Sequence, residues 1–375
     1  MRAFLAGILS VVSATAASAQ LPTIYATRPG QVVQLSDLNG DGDYLDSGEV
    51  ATFASGISGT LGAIATDGDD LFFISNTTGA PGSIYRVRDL NGDGDAFDFG
   101  EVTLYAQVSG ATLVGLIASG GSLYSADSVT GQLYRFVDLN QDGDAFDFDE
   151  VTVAATGLSG LVALAAMPDG AILVAMSSNA VPVRILQDRD GDGDFLEFAE
   201  NITYGENFPA GVDIACTRPD LSFLARGTDN RVLKLQDLTG DGDILDFGEV
   251  VDYAAAFGTP SKLTGTADDL FVATSDGNLW RLHDSNGDGD CLDFGEVILV
   301  AQGLAGVGGL VAIPGESCLA GDADGNGVVS LADVPAFVNG LLGLGPAIDP
   351  CRLDVNHDGT VDGRDVAGLT RRLVP

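Results

Sequence analysis

Asp37-Leu-Asn-Gly-Asp-Gly-Asp-Tyr-Leu-Asp-Ser-Gly-Glu49 decides the fold, because it returns five more times with small changes. The later copies begin at Asp89, Asp138, Asp188, Asp237 and Asp284, so successive starts lie 52, 49, 50, 49 and 47 residues apart. A period of this length marks an array of small structural units that bury their apolar faces against one another. Within each copy, oxygen-bearing side chains at positions 1, 3 and 5 converge in one tight loop, and Gly at position 6 permits a sharp backbone turn. Acids and amides at alternating positions are what a hard cation such as calcium requires.

Position by position, the candidate ligands are these. Position 1 holds Asp37, Asp89, Asp138, Asp188, Asp237 and Asp284, and position 3 holds Asn39, Asn91, Asn140, Asp190, Thr239 and Asn286. Position 5 holds Asp41, Asp93, Asp142, Asp192, Asp241 and Asp288, and position 7 holds Asp43, Asp95, Asp144, Asp194, Asp243 and Asp290. An acid recurs at position 10, as Asp46, Asp98, Asp147, Glu197, Asp246 and Asp293. Position 12, where an EF-hand loop closes with Glu, is Gly48, Gly100, Asp149, Ala199, Gly248 and Gly295. The Glu stands one residue later, as Glu49, Glu101, Glu150, Glu200, Glu249 and Glu296. Positions 7, 10 and 13 are all open as the closing ligand; position 10 is the expected one, with the Glu either chelating the ion or one layer removed from it. At the candidate ligand positions the fourth copy has the most acids, with Asp190 at position 3, and it is expected to bind most tightly. The fifth, with the hydroxyl of Thr239, is expected to bind most weakly.

The residues between the loops repeat as well. Short alternating runs precede each loop, such as Ser83-Ile-Tyr-Arg-Val87 and Asn278-Leu-Trp-Arg-Leu282, and others follow it, such as Glu101-Val-Thr-Leu-Tyr105. Two further apolar segments joined by a Pro-Asp-Gly turn lie between loops, as in Leu161 to Ala175. Four short strands per repeat without helical periodicity describe a β-propeller blade. The chain enters at Thr23-Ile-Tyr-Ala-Thr27, which matches a second strand, and the missing first strand appears as Gly309-Leu-Val-Ala-Ile313. Six blades, closed by a strand from the far end, therefore account for residues 20–314. The strand pattern, as in Ser122-Leu-Tyr-Ser-Ala-Asp127 and Gly131-Gln-Leu-Tyr-Arg135, resembles NHL and SMP-30-like six-bladed propellers, and the loops resemble those of integrin-type propeller blades.

From Cys318 the pattern changes. Asp322, Asp324, Asn326, Ser330 and Asp333 take positions 1, 3, 5, 9 and 12 of one twelve-residue loop, and Asp354, Asn356, Asp358, Asp362 and Asp365 take them in a second. Amphipathic stretches follow, with Val334, Phe337, Val338 and Leu341 after the first and Val366, Leu369 and Leu373 after the second. Residues 315–375 thus resemble a type I dockerin, a small α-helical domain of paired F-hands. That resemblance implies folding on calcium and docking to a cohesin-like or cell-surface partner. Leu331-Ala332 and Gly363-Arg364 stand where cellulosomal dockerins often carry a Ser/Thr pair, which argues against a cellulosomal partner.

Composition narrows the function. A formal charge of −37 argues against nucleic acid and anionic membrane surfaces as partners, whereas eight divalent ions would offset sixteen of those charges. Residues 1–19 read as a secretory signal, with Arg2, an apolar run from Phe4 to Val12 and Ala17-Ser18-Ala19 before the cleavage point. No run is long enough to span a membrane, so an exported protein in a calcium-rich setting is expected. Cys318 and Cys351 can form a disulfide there, while Cys216 and Cys291 have no evident partners.

The expected function is a non-catalytic propeller that presents a glycan- or protein-binding surface and is attached by its tail. The rival is a hydrolase or lyase of polysaccharide catabolism, delivered by a dockerin. Against the rival, the segments expected at the channel mouth, such as Ser58 to Ala63 and Gly110 to Gly115, lack acids and bases. His283 and His357 lie in or beside calcium loops, and Glu206, Asp213 and Lys262 are expected to be solvated loop residues.

Overall fold

The computed structural model describes residues 21–68, 70–197, 199–218 and 220–313, and in the C-terminal part 323, 331, 333–344, 348, 350–353, 355, 361, 363, 365–366 and 369–370. The secretory signal at 1–19 and the Cys318–Cys351 pairing lie outside these residues.

The chain is nearly all β. Its strands form six antiparallel four-stranded sheets, each following the order of the chain except the first. That blade is assembled from both ends: Gly309–Ile313 pairs antiparallel with Thr23–Arg28, placing Val311 opposite Tyr25, and Gln31–Leu35 and Val50–Ser55 complete it. Both chain ends of the ring are thereby covered, as the sequence predicts. The innermost strands are Gly309–Ile313, Thr60–Thr66, Leu113–Ser119, Leu161–Ala166, Asp213–Arg218 and Pro260–Gly265, and each neighbours the next in a closed ring.

Burial explains the strand sequences. Second strands are sandwiched between neighbouring blades, so Leu71–Asn76, Ile172–Met176 and Leu270–Thr274 read as nearly unbroken apolar runs. Fourth strands form the outer wall, so Val151–Ala155 and Val297–Ala301 expose part of their length. The core is accordingly six seams rather than one centre; Phe53 of the first blade, for instance, packs in one cluster with Leu61 and Phe73 of the second.

Each acidic loop joins the third strand of its blade to the fourth. Position 8 of each loop is buried: Tyr44, Ala96, Ala145, Phe195, Ile244 and Cys291. Its backbone N–H donates to the fourth strand of the preceding blade. Tyr44 reaches Val300 at 2.7 Å, closing the ring from the first blade to the sixth, and Ala96 reaches Phe53 at 2.7 Å. The same bond joins Ala145 to Tyr105, Phe195 to Ala154, Ile244 to Tyr204 and Cys291 to Tyr253. The loops thus clip strands within a blade and also plug the seam between blades.

In the C-terminal part, a helix spans Val334–Leu341 and a short one spans Pro350–Leu353. Ala323, Phe337, Leu353, Val355 and Leu369 form its small core. Two of the predicted apolar positions differ: Val338 and Val366 are 44% and 47% exposed, since each directly follows a buried residue, Phe337 and Asp365, and a helix turns successive side chains about 100° apart. Leu373 lies outside the described residues.

The seam plug generates a paired test. Ile244→Ala removes a buried side chain and should cost about 2–5 kcal/mol of unfolding free energy. Leu245→Ala, at the next residue and half exposed, should stay within about 0.5 kcal/mol, as read by denaturant unfolding.

Candidate metal centres

Backbone conformation accounts for the loop consensus. Position 12 has positive φ in all six copies, from 67° at Asp149 and 72° at Ala199 to 99° at Gly48. It is a left-handed turn residue, which is why glycine fills it four times and why the closing acid stands one residue later.

Position 13 is the latch. All six glutamates are only 1–2% exposed. In the first loop Glu49 Oε1 accepts the N–H of Leu38 at 3.0 Å and Oε2 accepts that of Asp46 at 3.0 Å, tying the loop's entry to its exit. Glu101 does the same with Leu90 and Asp98, and Glu150 with Leu139 and Asp147. Glu200, Glu249 and Glu296 follow suit, and the Glu49 carbonyl also accepts the N–H of Ser36 at 2.9 Å.

Position 1 is cradled by backbone amides. Asp37 accepts from Gly40 at 2.7 Å and Gly42 at 3.1 Å, and Asp188, Asp237 and Asp284 repeat the pair. In the second loop the N–H groups of Gly94 and then Gly92 hold Asp89 below the usual carboxylate range.

Positions 3, 5 and 10 converge. Asn39 Nδ2 donates to Asp41 at 3.1 Å and to Asp46 at 2.6 Å, and Asn91 and Asn286 bridge Asp93 to Asp98 and Asp288 to Asp293 in the same way. Asn140 bridges Asp142 and Asp147. In the fifth loop the Thr239 hydroxyl instead points to Asp237 and Glu249 at 3.5 and 3.4 Å, too short a side chain to bridge. Position 7 turns the chain locally: Asp43, Asp95, Asp144, Asp194, Asp243 and Asp290 each accept the N–H two residues on, Asp43 from Leu45 at 2.7 Å.

In the first and fourth loops, carboxylate oxygens lie close enough together to share one hard cation. One oxygen each from Asp37, Asp41 and Glu49 lies within 4.8 Å of the others, close to the spread around an ion ligated at about 2.3–2.6 Å. The fourth loop offers three such sets: Asp188, Asp190 and Glu200; Asp190, Asp192 and Glu197; Asp194, Glu197 and Glu200. There Asp190 replaces the bridging amide, and like charges crowd. The Glu197 carboxyl is pushed up to about 7, first by its hydrogen bond with Glu200, then by desolvation and by Asp192 and Asp194. Glu200 is held low, first by the N–H of Arg189.

Asp333 and Asp365, the position-12 acids of the C-terminal loops, are fully buried. Asp322, Asp324, Asn326, Ser330, Asp354, Asn356, Asp358 and Asp362 lie outside the described residues.

Sequence reasoning misplaced two side chains. Asp213 and Lys262 are not on solvated loops but on adjacent innermost strands, facing a central cavity of about 190 Å³ that all six blades line. Ala63, Gly115, Ala163 and Gly309 line the same cavity, so small residues leave it open. Asp213 is buried and accepts the N–H of Leu263 at 2.7 Å; burial raises its pKa, against a lowering by Lys262. Glu206 is exposed, as expected. Cys216 and Cys291 are free thiols, and burial pushes that of Cys291, the sixth seam plug, up to about 12.

The propeller and its tail can now be set beside known proteins. Residues 320–374 match the dockerin type I domain family. Such domains bind calcium, and a dockerin implies attachment to a cohesin-bearing partner. Among solved structures, a chain of the nidogen/laminin complex is similar at 12% identity with a TM-score of 0.55, over 77% of this chain and 97% of that one. The PQQ-bound aldose sugar dehydrogenase of Streptomyces coelicolor aligns at 12% identity and TM-score 0.46, over 75% and 93%. Virginiamycin B lyase of Staphylococcus aureus aligns at 13% and 0.44, over 72% and 83%. The first of these likenesses bears on the fold alone. No curated protein matches the chain. Among the described residues no helix is long and apolar enough to cross a membrane.

The crowded fourth loop yields a prediction. A cation can be chelated by Glu197 only after its proton leaves, so calcium affinity there should rise as pH rises through about 7. Calorimetric titration with calcium near that pH should show net proton release, and Glu197→Gln should lose that part of the release.

Proposed function

We propose that this chain is an exported, non-catalytic propeller whose six loops each hold a structural calcium ion, and which presents a binding surface while its dockerin-type tail attaches it to a cohesin-bearing or cell-surface partner. The observation that carries the metal reading is the convergence of carboxylates in the first and fourth loops, set on a buried glutamate latch that all six loops share. Position 1, position 3, position 5 and the acid at position 10 supply the ligating oxygens, and Glu49 and its five counterparts hold the loop ends together while offering their remaining lone pairs. The wide extracellular calcium supply suits sites of modest affinity, on the order of 10⁻⁴–10⁻³ M. The secretory reading of residues 1–19 and the charge of −37 favour that compartment.

Because the ion would bind only the folded ring, each site at a hundredfold excess over its dissociation constant contributes about 2.7 kcal/mol. Chelation with EGTA should therefore lower the melting temperature of the propeller sharply, and an unchanged melting temperature would remove the structural-calcium reading.

One observation favours a second reading, a hydrolase or lyase acting on polysaccharide. A buried carboxyl of raised pKa beside a lysine in a central cavity is the kind of pair that serves acid–base chemistry. A polysaccharide screen decides it: turnover abolished by Asp213→Asn would replace the binding-module reading, and no turnover on any substrate would retain it.

A further inference from the structure

Every blade runs its strands alternately up and down, so all six third-to-fourth-strand loops emerge on one face of the ring. That face carries a second repeated feature which metal binding leaves unused. Position 11 is phenylalanine in five loops, and Phe99, Phe148, Phe247 and Phe294 are 105, 90, 107 and 106% exposed. Phe198, the fifth, lies outside the described residues. Half-exposed leucine or phenylalanine accompanies them at position 9 throughout, so nearly every large apolar side chain the propeller exposes sits in these loops; among the described residues only Val129, Val251 and Ile298 stand elsewhere. Together with position 9, the position-11 side chains gather the propeller's exposed apolar surface onto this one face.

Charge identifies the partner. The thirteen-residue loops contain 32 of the chain's 54 acids and one basic residue, Arg189. Six calcium ions would offset twelve of those charges and leave the face strongly negative. The turns and connectors of the opposite face hold only Arg28, Arg226 and Arg231 against Asp127, Glu206, Asp229 and Asp276. An exposed phenylalanine on a loop that stays negative after metal binding suits a lysine or arginine, which can lie over the ring in that negative field. An anionic lipid surface would meet net repulsion.

We infer that the loop face docks a lysine- and arginine-rich polypeptide surface that also carries apolar side chains, with the position-11 phenylalanines as repeated anchors. Several equivalent anchors around one ring let a repetitive partner engage more than one at a time. This inference rests on the binding-module reading and supplies its partner.

The test uses the full chain in saturating calcium and a synthetic amphipathic lysine/leucine helix as probe, with a lysine/serine peptide of equal charge as control. Replacing Phe99, Phe148, Phe247 and Phe294 together by serine should weaken the lysine/leucine peptide at least about tenfold. The melting temperature should stay unchanged, and the control peptide should bind more weakly than the probe to the parent chain. Equal binding by the variant, or equal binding of the two peptides, would overturn the assignment. So would phenylalanine-dependent binding to phosphatidylglycerol vesicles without peptide binding, or self-association in sedimentation that the variant loses. A chain that melts normally under EGTA sensitivity yet ignores the peptide sinks this inference alone, and leaves the calcium reading standing.

Discussion

Six buried carboxylates hold this ring in shape. Placing an ionised glutamate where only 1–2% of it meets water is costly unless hydrogen bonds or a cation replace the lost solvation. Each latch receives two backbone N–H groups from opposite ends of its loop, and those donors would otherwise lack partners in a turn with no ladder. The glutamate therefore answers the loop's backbone as much as the loop answers the glutamate. Everything outward follows: the latch fixes where positions 1, 3, 5 and 10 meet, and where position 8 enters the seam.

Much of the architecture was legible from the period. Repeat spacing, four strand-like runs and a displaced first strand together specify a six-membered ring, since a blade lacking its inner strand must recover it from the other terminus. The dockerin-type character of the tail was equally readable, and residues 320–374 match that family. What escaped was information carried across blades. Position 8 is apolar or cysteine in every copy, as Tyr44, Ala96, Ala145, Phe195, Ile244 and Cys291, yet periodicity within one blade says nothing of the neighbour it plugs. In the alignment of copies position 8 is one of several apolar positions, and nothing there separates it from the exposed positions 9 and 11. Asp213 and Lys262 were missed for a related reason: an isolated charge in an unremarkable segment reads as solvent-exposed, and only ring closure turns it toward the axis.

Seam plugging also gives the acidic loops mechanical reach. A propeller blade touches only its two neighbours, so stability in such arrays resembles a sum of unit and interface terms. Here the loop belongs to one blade, while its position-8 amide belongs to the edge strand of the blade before it. Ordering one loop therefore strengthens an interface as well as a unit. Closure changes the arithmetic of weak members. In an open array a poor loop is a place to fray, but in a ring each loop is held from both sides. The fifth loop lacks the bridging amide, because Thr239 cannot reach between positions 5 and 10. It nevertheless keeps its latch, with Glu249 on Leu238 and Asp246, and its plug, with Ile244 on Tyr204. A closed ring with redundant clips can thus tolerate the loss of one bridging amide, which explains how position 3 could vary from Asn to Asp to Thr while position 13 did not vary at all.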